Sequence, residues 1–157
     1  MLEAIEEAKK AALIGEVPVG AVIVKDGEIV ARAHNLVETN RSSSAHAEML
    51  AIEEAERKLG KWLTGCELYV TLEPCAMCAG SMVLARIDEL NIGAMDPKNG
   101  ACGTIFNVAE CDRLNHRINV NTGILGEECG KLLSDFFKEM RLHKNALKRN
   151  KNTREEL

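Results

Sequence analysis

Long apolar runs are missing from this 157-residue sequence, and aromatic side chains are few: one tryptophan, one tyrosine and three phenylalanines. A transmembrane helix needs about 20 consecutive apolar residues, so the first absence excludes one. With hydrophobic residues at 46%, the composition is that of an ordinary soluble α/β protein. The opening stretch MLEAIEEAKKAALIGE carries four glutamates and two lysines in an alanine-rich helical pattern. It lacks the cationic and then apolar layout of a secretory signal, and a cytoplasmic location is expected. Six cysteines do not make a disulfide scaffold at this length, where a core alone buries about 70% of the unfolded surface. In a reducing compartment a close cysteine pair is more often metal-binding or catalytic. No internal repeat, low-complexity tract or linker is present, so residues 1–157 are expected to form one domain.

A net positive charge is absent too. The formal charge is −4, which taken alone argues against nucleic acid. The distribution runs the other way: Arg141, Lys144, Lys148, Arg149, Lys151 and Arg154 follow one another with no acid among them, while Glu3, Glu6, Glu7 and Glu16 load the other end. Residues 141–157 therefore read either as a solvated helix end or as an RNA-facing tail.

Hydrophobic periodicity predicts helices alternating with strands. Leu2 to Leu13 is amphipathic and closed by Gly15. AVIVK (Ala21 to Lys25), Asp26-Gly27 and EIVARAH (Glu28 to His34) predict a hairpin with a tight turn. A polar loop, Asn35 to Ser44, precedes a helix from Ala45 to Leu59 that stops at Gly60. ELYVT (Glu67 to Thr71) has the pattern of a buried strand, CAMCAGSMVLARI (Cys75 to Ile87) that of a helix, and ELNIGA (Glu89 to Ala94) that of another strand. After a glycine-rich loop, a strand is expected around Arg117 to Val120 and a long final helix from about Gly126. The alternation implies a three-layer α/β/α sandwich.

Within this layout, the stretch EPCAMC (Glu73 to Cys78) is unusual. Proline suits the first turn of a helix, which puts Cys75 and Cys78 in the first turns, their i, i+3 spacing on one face. The positive end of the helix favours thiolates, and thiolates bind zinc. A redox pair uses the same spacing and much the same position. A third ligand separates the two, and His46-Ala47-Glu48 opens the preceding helix, where a strand–helix unit brings successive helix starts to one sheet edge. A histidine at a helix start is by default a cap or a surface residue; paired with EPCAMC it completes a three-ligand zinc site, which leaves the fourth tetrahedral position open, as in catalytic sites. Glu48 then points away from the ligands and is available to handle protons.

HAE followed by PCAMC resembles the H-x-E…P-C-x-x-C signature of the zinc-dependent cytidine and adenosine deaminase superfamily; the signature is that superfamily's own and does not follow from spacing. The likeness continues through EVPVGAVIV, HAEMLAI, LYVTLEPCAMCAGSMVLARI, DPKNGA and LLSDFFKEMR, which are similar to bacterial tRNA adenosine deaminases. The resemblance implies a cytidine deaminase-like fold, a mixed five-stranded sheet between helices, in a homodimer with partner residues close to the active site. It also implies one zinc ion per chain on His46, Cys75 and Cys78, Glu48 as the catalytic acid and base, and conversion of adenosine to inosine at the wobble position of a tRNA anticodon stem-loop.

Further residues carry over from the same resemblance. Asn35 aligns with an asparagine that contacts the target nucleoside, although after a strand it is by default a turn former. Asp96, either an Asx-turn residue before Pro97 or an acceptor for an RNA 2′-hydroxyl, matches the second role, with Lys98 and Asn99 beside it. Phe136 and Phe137 lie in the final helix, where aromatic residues are by default core; the resemblance implies that one of them faces the anticodon loop, with Arg141 as a further contact. Cys66, Cys102, Cys111 and Cys129 match no ligand position and read as small apolar fillers. Three rival readings share parts of the pattern. A free-base or nucleotide deaminase, of guanine or cytosine type, would share the whole zinc site. A structural zinc module would need Cys102 or Cys111 as a fourth ligand, and a redox CxxC protein would have no use for His46.

Overall fold

Helix α1 (Leu2–Leu13) ends where Gly15 turns left-handed at φ 81°. The Glu16 N–H then reaches back to the Ala11 carbonyl (3.0 Å) and closes the helix. Strands β1 (Gly20–Lys25) and β2 (Glu28–His34) follow as an antiparallel hairpin. Its two turn residues, Asp26 and Gly27, have φ of 52° and 79°, the pair of positive values that a type I′ turn requires. The structure is a computed structural model and describes the backbone of residues 1–155 and the side chains of residues 1–149.

After β2 come a single helical turn α2 (Val37–Asn40), helix α3 (Ala47–Leu59), strand β3 (Cys66–Leu72), helix α4 (Ala76–Leu84), strand β4 (Glu89–Ala94), strand β5 (Asn119–Asn121) and helix α5 (Gly126–Glu155). The sheet order is β2-β1-β3-β4-β5. Pairing is antiparallel for β1 with β2 and with β3, and parallel for β3 with β4 and β4 with β5. The expected mixed five-stranded sheet between helices is therefore present.

Alternation along β1 assigns the layers. Ala21 and Ile23 join a buried cluster with Ala47, Ala51, Ile52 and Ala55 of α3 and with Cys78, Ala79 and Met82 of α4. Gly20, one residue out of phase, meets α1 instead: a Cβ there would run into the Ala4 carbonyl oxygen and lie 2.6 Å from the Ala8 nitrogen. Alanines at 4, 8 and 11, all fully buried, give α1 the smooth face that this approach needs. Aliphatic side chains, chiefly Leu63, Leu68, Val70, Leu90, Ile92 and Ile118, fill the rest of the core. Cys66, Cys102 and Cys129 are buried with them; burial pushes the Cys102 and Cys129 thiols up, to about 12 and about 11, and leaves them inert.

β1 and β3 extend beyond the expected ranges by a single residue at one or both ends, and larger differences arise at α2, α3, α4 and β5. The polar loop after β2 contains α2, closed by Arg41 at φ 50°. Helix α3 begins at Ala47 because His46 is extended (φ −73°, ψ 150°). Helix α4 begins at Ala76, so Pro74 and Cys75 precede it, and it stops three residues short of Ile87. There, Arg86 adopts φ 60°, while the Arg86 and Ile87 N–H groups donate to the Val83 and Met82 carbonyls at 3.1 Å. That is a Schellman ending with arginine in the position usually taken by glycine. Strand β5 covers Asn119–Asn121, not 117–120, and pairs in parallel with the start of β4.

Candidate active site

Topology brings the chemistry together. Since β1 is antiparallel to both neighbours, β2 and β3 run parallel, and α3 is the crossover between them; α4 is the crossover between parallel β3 and β4. Each helix starts beyond the end of the strand that precedes it, so the amino-terminal ends of α3 and α4 lie at one sheet edge. His46 and Cys75 are the residues immediately before the two helices, both extended, and Cys78 lies in the first turn of α4.

His46 Nδ1 lies 3.6 Å from the Cys75 sulfur and 3.5 Å from the Cys78 sulfur. The ligand atoms of the three residues lie within 4.8 Å of one another. With Zn–N near 2.05 Å and Zn–S near 2.3 Å, the N···S edge of a tetrahedral site is about 3.6 Å, so the donor set and its spacing fit zinc. Among the described residues neither Cys102 nor Cys111 belongs to the group. A structural four-ligand site is thus not assembled, and three ligands leave one position for a reactant.

The two sulfurs divide a proton between them. A hydrogen bond from the Cys78 thiol draws Cys75 down to about 5, with backbone N–H groups and His46 pulling the same way. The same bond, together with burial, pushes Cys78 up. A metal held by both sulfurs would take the place of that proton. Glu48, in the first turn of α3 and 4% exposed, is no member of the ligand group. Burial raises its carboxyl to about 7, offset in part by a backbone N–H and by His46.

A cavity of about 430 Å³ opens at these groups, lined by His46, Glu48 and Cys75 together with Asn35, Asp96 and Asn99. That volume suits a small-molecule or single-nucleoside guest. Asn35, 8% exposed, donates from its side-chain amide to Glu16 (3.4 Å), and Glu16 also accepts from the Thr39 N–H (2.6 Å). Asp96 Oδ1 accepts from the Lys98 and Asn99 N–H groups at 2.8 and 3.2 Å. This is the Asx turn, formed through one oxygen only. Of the other sequence candidates, Lys98 is exposed on that turn, and Phe136, Phe137 and Arg141 lie on α5, outside the lining of this cavity. Phe136 and Phe137 meet edge to face with centroids 5.5 Å apart. Phe136 lines a separate cavity between α1 and α5 with Ala12, Leu132 and Met140.

Sequence reasoning assigned nothing to two buried lining residues, Glu16 and Glu73. Each is a lone carboxylate inside a stretch singled out for other reasons, EVPVGAVIV and EPCAMC. The available signal was an acid next to an apolar run, Val17 to Val19 and Leu68 to Leu72, and an acid that becomes buried there needs hydrogen-bond donors.

A three-residue metal group at two helix starts, a buried carboxylate beside it and a nucleoside-sized cavity, all on this mixed sheet, define the class of the zinc-dependent hydrolytic deaminases. A family model described as MafB19-like deaminase matches residues 1–141. The tRNA-specific adenosine deaminase of Bacillus subtilis is 57% identical over 96% of this chain and 94% of that protein; that of Aquifex aeolicus is 53% identical over 88% and 91%. A solved structure from work on A-to-I editing by tRNA:A34 deaminases at the wobble position of transfer RNA superposes with a TM-score of 0.81 at 40% identity, covering 85% of this chain and 97% of that one. Guanine deaminase from Nitrosomonas europaea gives a TM-score of 0.71 at 27% identity, over 85% and 80%. The chain belongs to the tRNA-specific adenosine deaminase family.

Proposed function

We propose that the chain deaminates adenosine to inosine at the wobble position of tRNA, working in the cytoplasm as a single-domain homodimer with one zinc ion per chain. One observation carries the reading: the His46–Cys75–Cys78 group, the buried Glu48 carboxylate and the polar pair Asn35 and Asp96 converge on one cavity. The 57% identity to a tRNA-specific adenosine deaminase supports the choice of substrate.

His46, Cys75 and Cys78 would hold a zinc ion, which when bound would supply the Lewis acidity that makes water a nucleophile at neutral pH. Glu48 accepts a proton from the attacking water and returns protons to the ring nitrogen and to the departing amine, so that adenosine and water become inosine and ammonia. Asn35, held by Glu16, offers an amide donor and acceptor to the nucleoside. The Asp96 oxygen not used in the Asx turn accepts the ribose 2′-hydroxyl, with Asn99 beside it. Lys98 and Arg141 meet phosphates outside the cavity, and one of Phe136 and Phe137 stacks on the anticodon loop. Support for the dimer comes from exposed apolar side chains on α4 and the loop after β4: Leu84 is 81% exposed and Phe106 61%. No helix among the described residues is long and apolar enough to cross a membrane.

The deciding experiment incubates the zinc-loaded protein with tRNA, adenosine, guanine and cytidine in parallel and follows ammonia and inosine. Inosine at the wobble position with no turnover of the free compounds is the expected result. Turnover of guanine or cytidine instead of tRNA would establish the free-base reading, which the likeness to a guanine deaminase fold favours.

A further inference from the structure

Glu73 directly follows strand β3 and stands two residues before Cys75. Its side chain is only 2% exposed and is surrounded by donors from a single segment, residues 96–104. Oε1 accepts from the Cys102 and Thr104 N–H groups at 3.1 and 3.0 Å; Oε2 accepts from the Asp96 N–H at 2.9 Å and from the Thr104 hydroxyl. Four donors on one buried carboxylate satisfy nearly all its lone-pair sites, which is the condition for keeping a charge away from water. The segment is shaped to the carboxylate in turn. A Cβ on Gly100 would overlap Glu73 Oε2 and lie 2.6 Å from the Asp96 carbonyl oxygen, so only glycine lets the loop close over it.

The held segment is one wall of the cavity, carrying Asp96 and Asn99. The residue that grips it is two positions from Cys75, which lines the same cavity with His46 and Glu48. We propose that Glu73 is a positioning residue that sets the distance between the substrate-recognising wall and the metal-binding wall, acting through the Asp96 backbone. The inference rests on the tRNA deaminase reading for its substrate, and on the hydrogen bonds alone for its mechanics.

The two oxygens give separable tests. In Glu73→Gln one oxygen remains an acceptor while the amide NH₂ opposes the donors at the other. Gly100→Ala disturbs the same contact from the loop side without changing any charge. Both are made in the full-length, zinc-loaded protein and compared by zinc content, by hydrogen exchange at the amides of Asp96, Cys102 and Thr104, and by kcat and KM on an anticodon stem-loop RNA. We expect zinc to stay near one per chain, exchange at one or more of those amides to quicken at least tenfold, and kcat/KM to fall by about 10- to 100-fold, the range a displacement on the order of 1 Å can cause. In an Asp96→Ala background, Glu73→Gln should then cost less than about threefold, because the residue it positions is already gone. Full multiplication of the two losses, unchanged exchange, zinc loss in both variants, or freed amides with unchanged kcat/KM would each overturn the proposal. A wild-type chain inert on the stem-loop is a different failure: it defeats the functional reading, and exchange with zinc content still decides whether Glu73 holds the segment.

Discussion

Glu48 and Asp96 show how little chemistry separates a ligand, a base and a recognition group within one cavity. Glu48 is buried two residues from His46 and outside the ligand group, so Glu48→Ala should keep zinc and fold while losing at least 10²-fold in single-turnover rate on tRNA. Elemental analysis beside the rate measurement checks both halves, and a variant with more than about a tenth of wild-type rate would contradict the role. For Asp96, the Asx turn uses only Oδ1, and an asparagine retains that acceptor. Asp96→Asn therefore preserves the turn and removes the charge alone. We expect it to narrow the preference for an RNA stem-loop over its DNA counterpart, since a carboxylate gains from the 2′-hydroxyl and is repelled by a backbone that lacks one. An unchanged RNA/DNA rate ratio would take Asp96 off the recognition surface.

Helix α1 is fastened to strand β2 by a hydrogen bond between Glu7 and His34, and the Glu7 carboxyl should titrate. Glu7 is buried and accepts from His34 Nδ1 at 2.7 Å and Lys10 at 2.5 Å. Burial pushes its carboxyl up, but the hydrogen bonds from Lys10 and His34 outweigh it and leave the net pKa below 4.5. A depressed folded pKa means that the contribution is complete above the ordinary carboxylate range and is lost as pH falls through the lowered value. Urea midpoints should accordingly drop less between neutral and acidic pH in Glu7→Gln than in wild type; equal drops would rule the pair out. The same elements show what periodicity reveals. α1 and the hairpin were legible to within a residue because their endings are written in glycine and Asp-Gly, and β4 because a short apolar run marks it. The end of α4 was not, because Arg86 takes the left-handed position while its neighbour Ile87 is fully buried: burial of the next side chain overrode the local preference. The His46, Cys75 and Cys78 group was legible as residue types and spacing, whereas the grips of Glu16 and Glu73 depend on loop donors distant in sequence, which no local pattern encodes.

At the scale of the whole molecule, α5 extends for about 45 Å, and its side chains from Arg141 to Arg149 are exposed; the Lys151 and Arg154 side chains lie outside the described residues. Replacing Arg141, Lys144 and Lys148 by glutamine should weaken tRNA binding and flatten its salt dependence by roughly 0.7 to 0.9 in log–log slope for each phosphate no longer neutralised, with zinc content unchanged. An identical slope would make this end of the helix a solvated extension. The ligand group joins the molecule in another way. His46 comes from the β2–α3 crossover and the cysteines from β3–α4, Cys75 lying 29 positions after His46, so a shared ion would rivet together two separate crossover connections. Any ion bound only by the folded chain couples its own chemical potential to folding: each tenfold rise in free zinc above the dissociation constant adds about 1.4 kcal/mol to unfolding free energy. Heat resistance then becomes a gauge of metal supply, with the melting temperature climbing with the logarithm of free zinc and falling to a plateau under chelator. A protein whose ligands were gathered in one loop, able to hold the ion after unfolding, would lack that dependence.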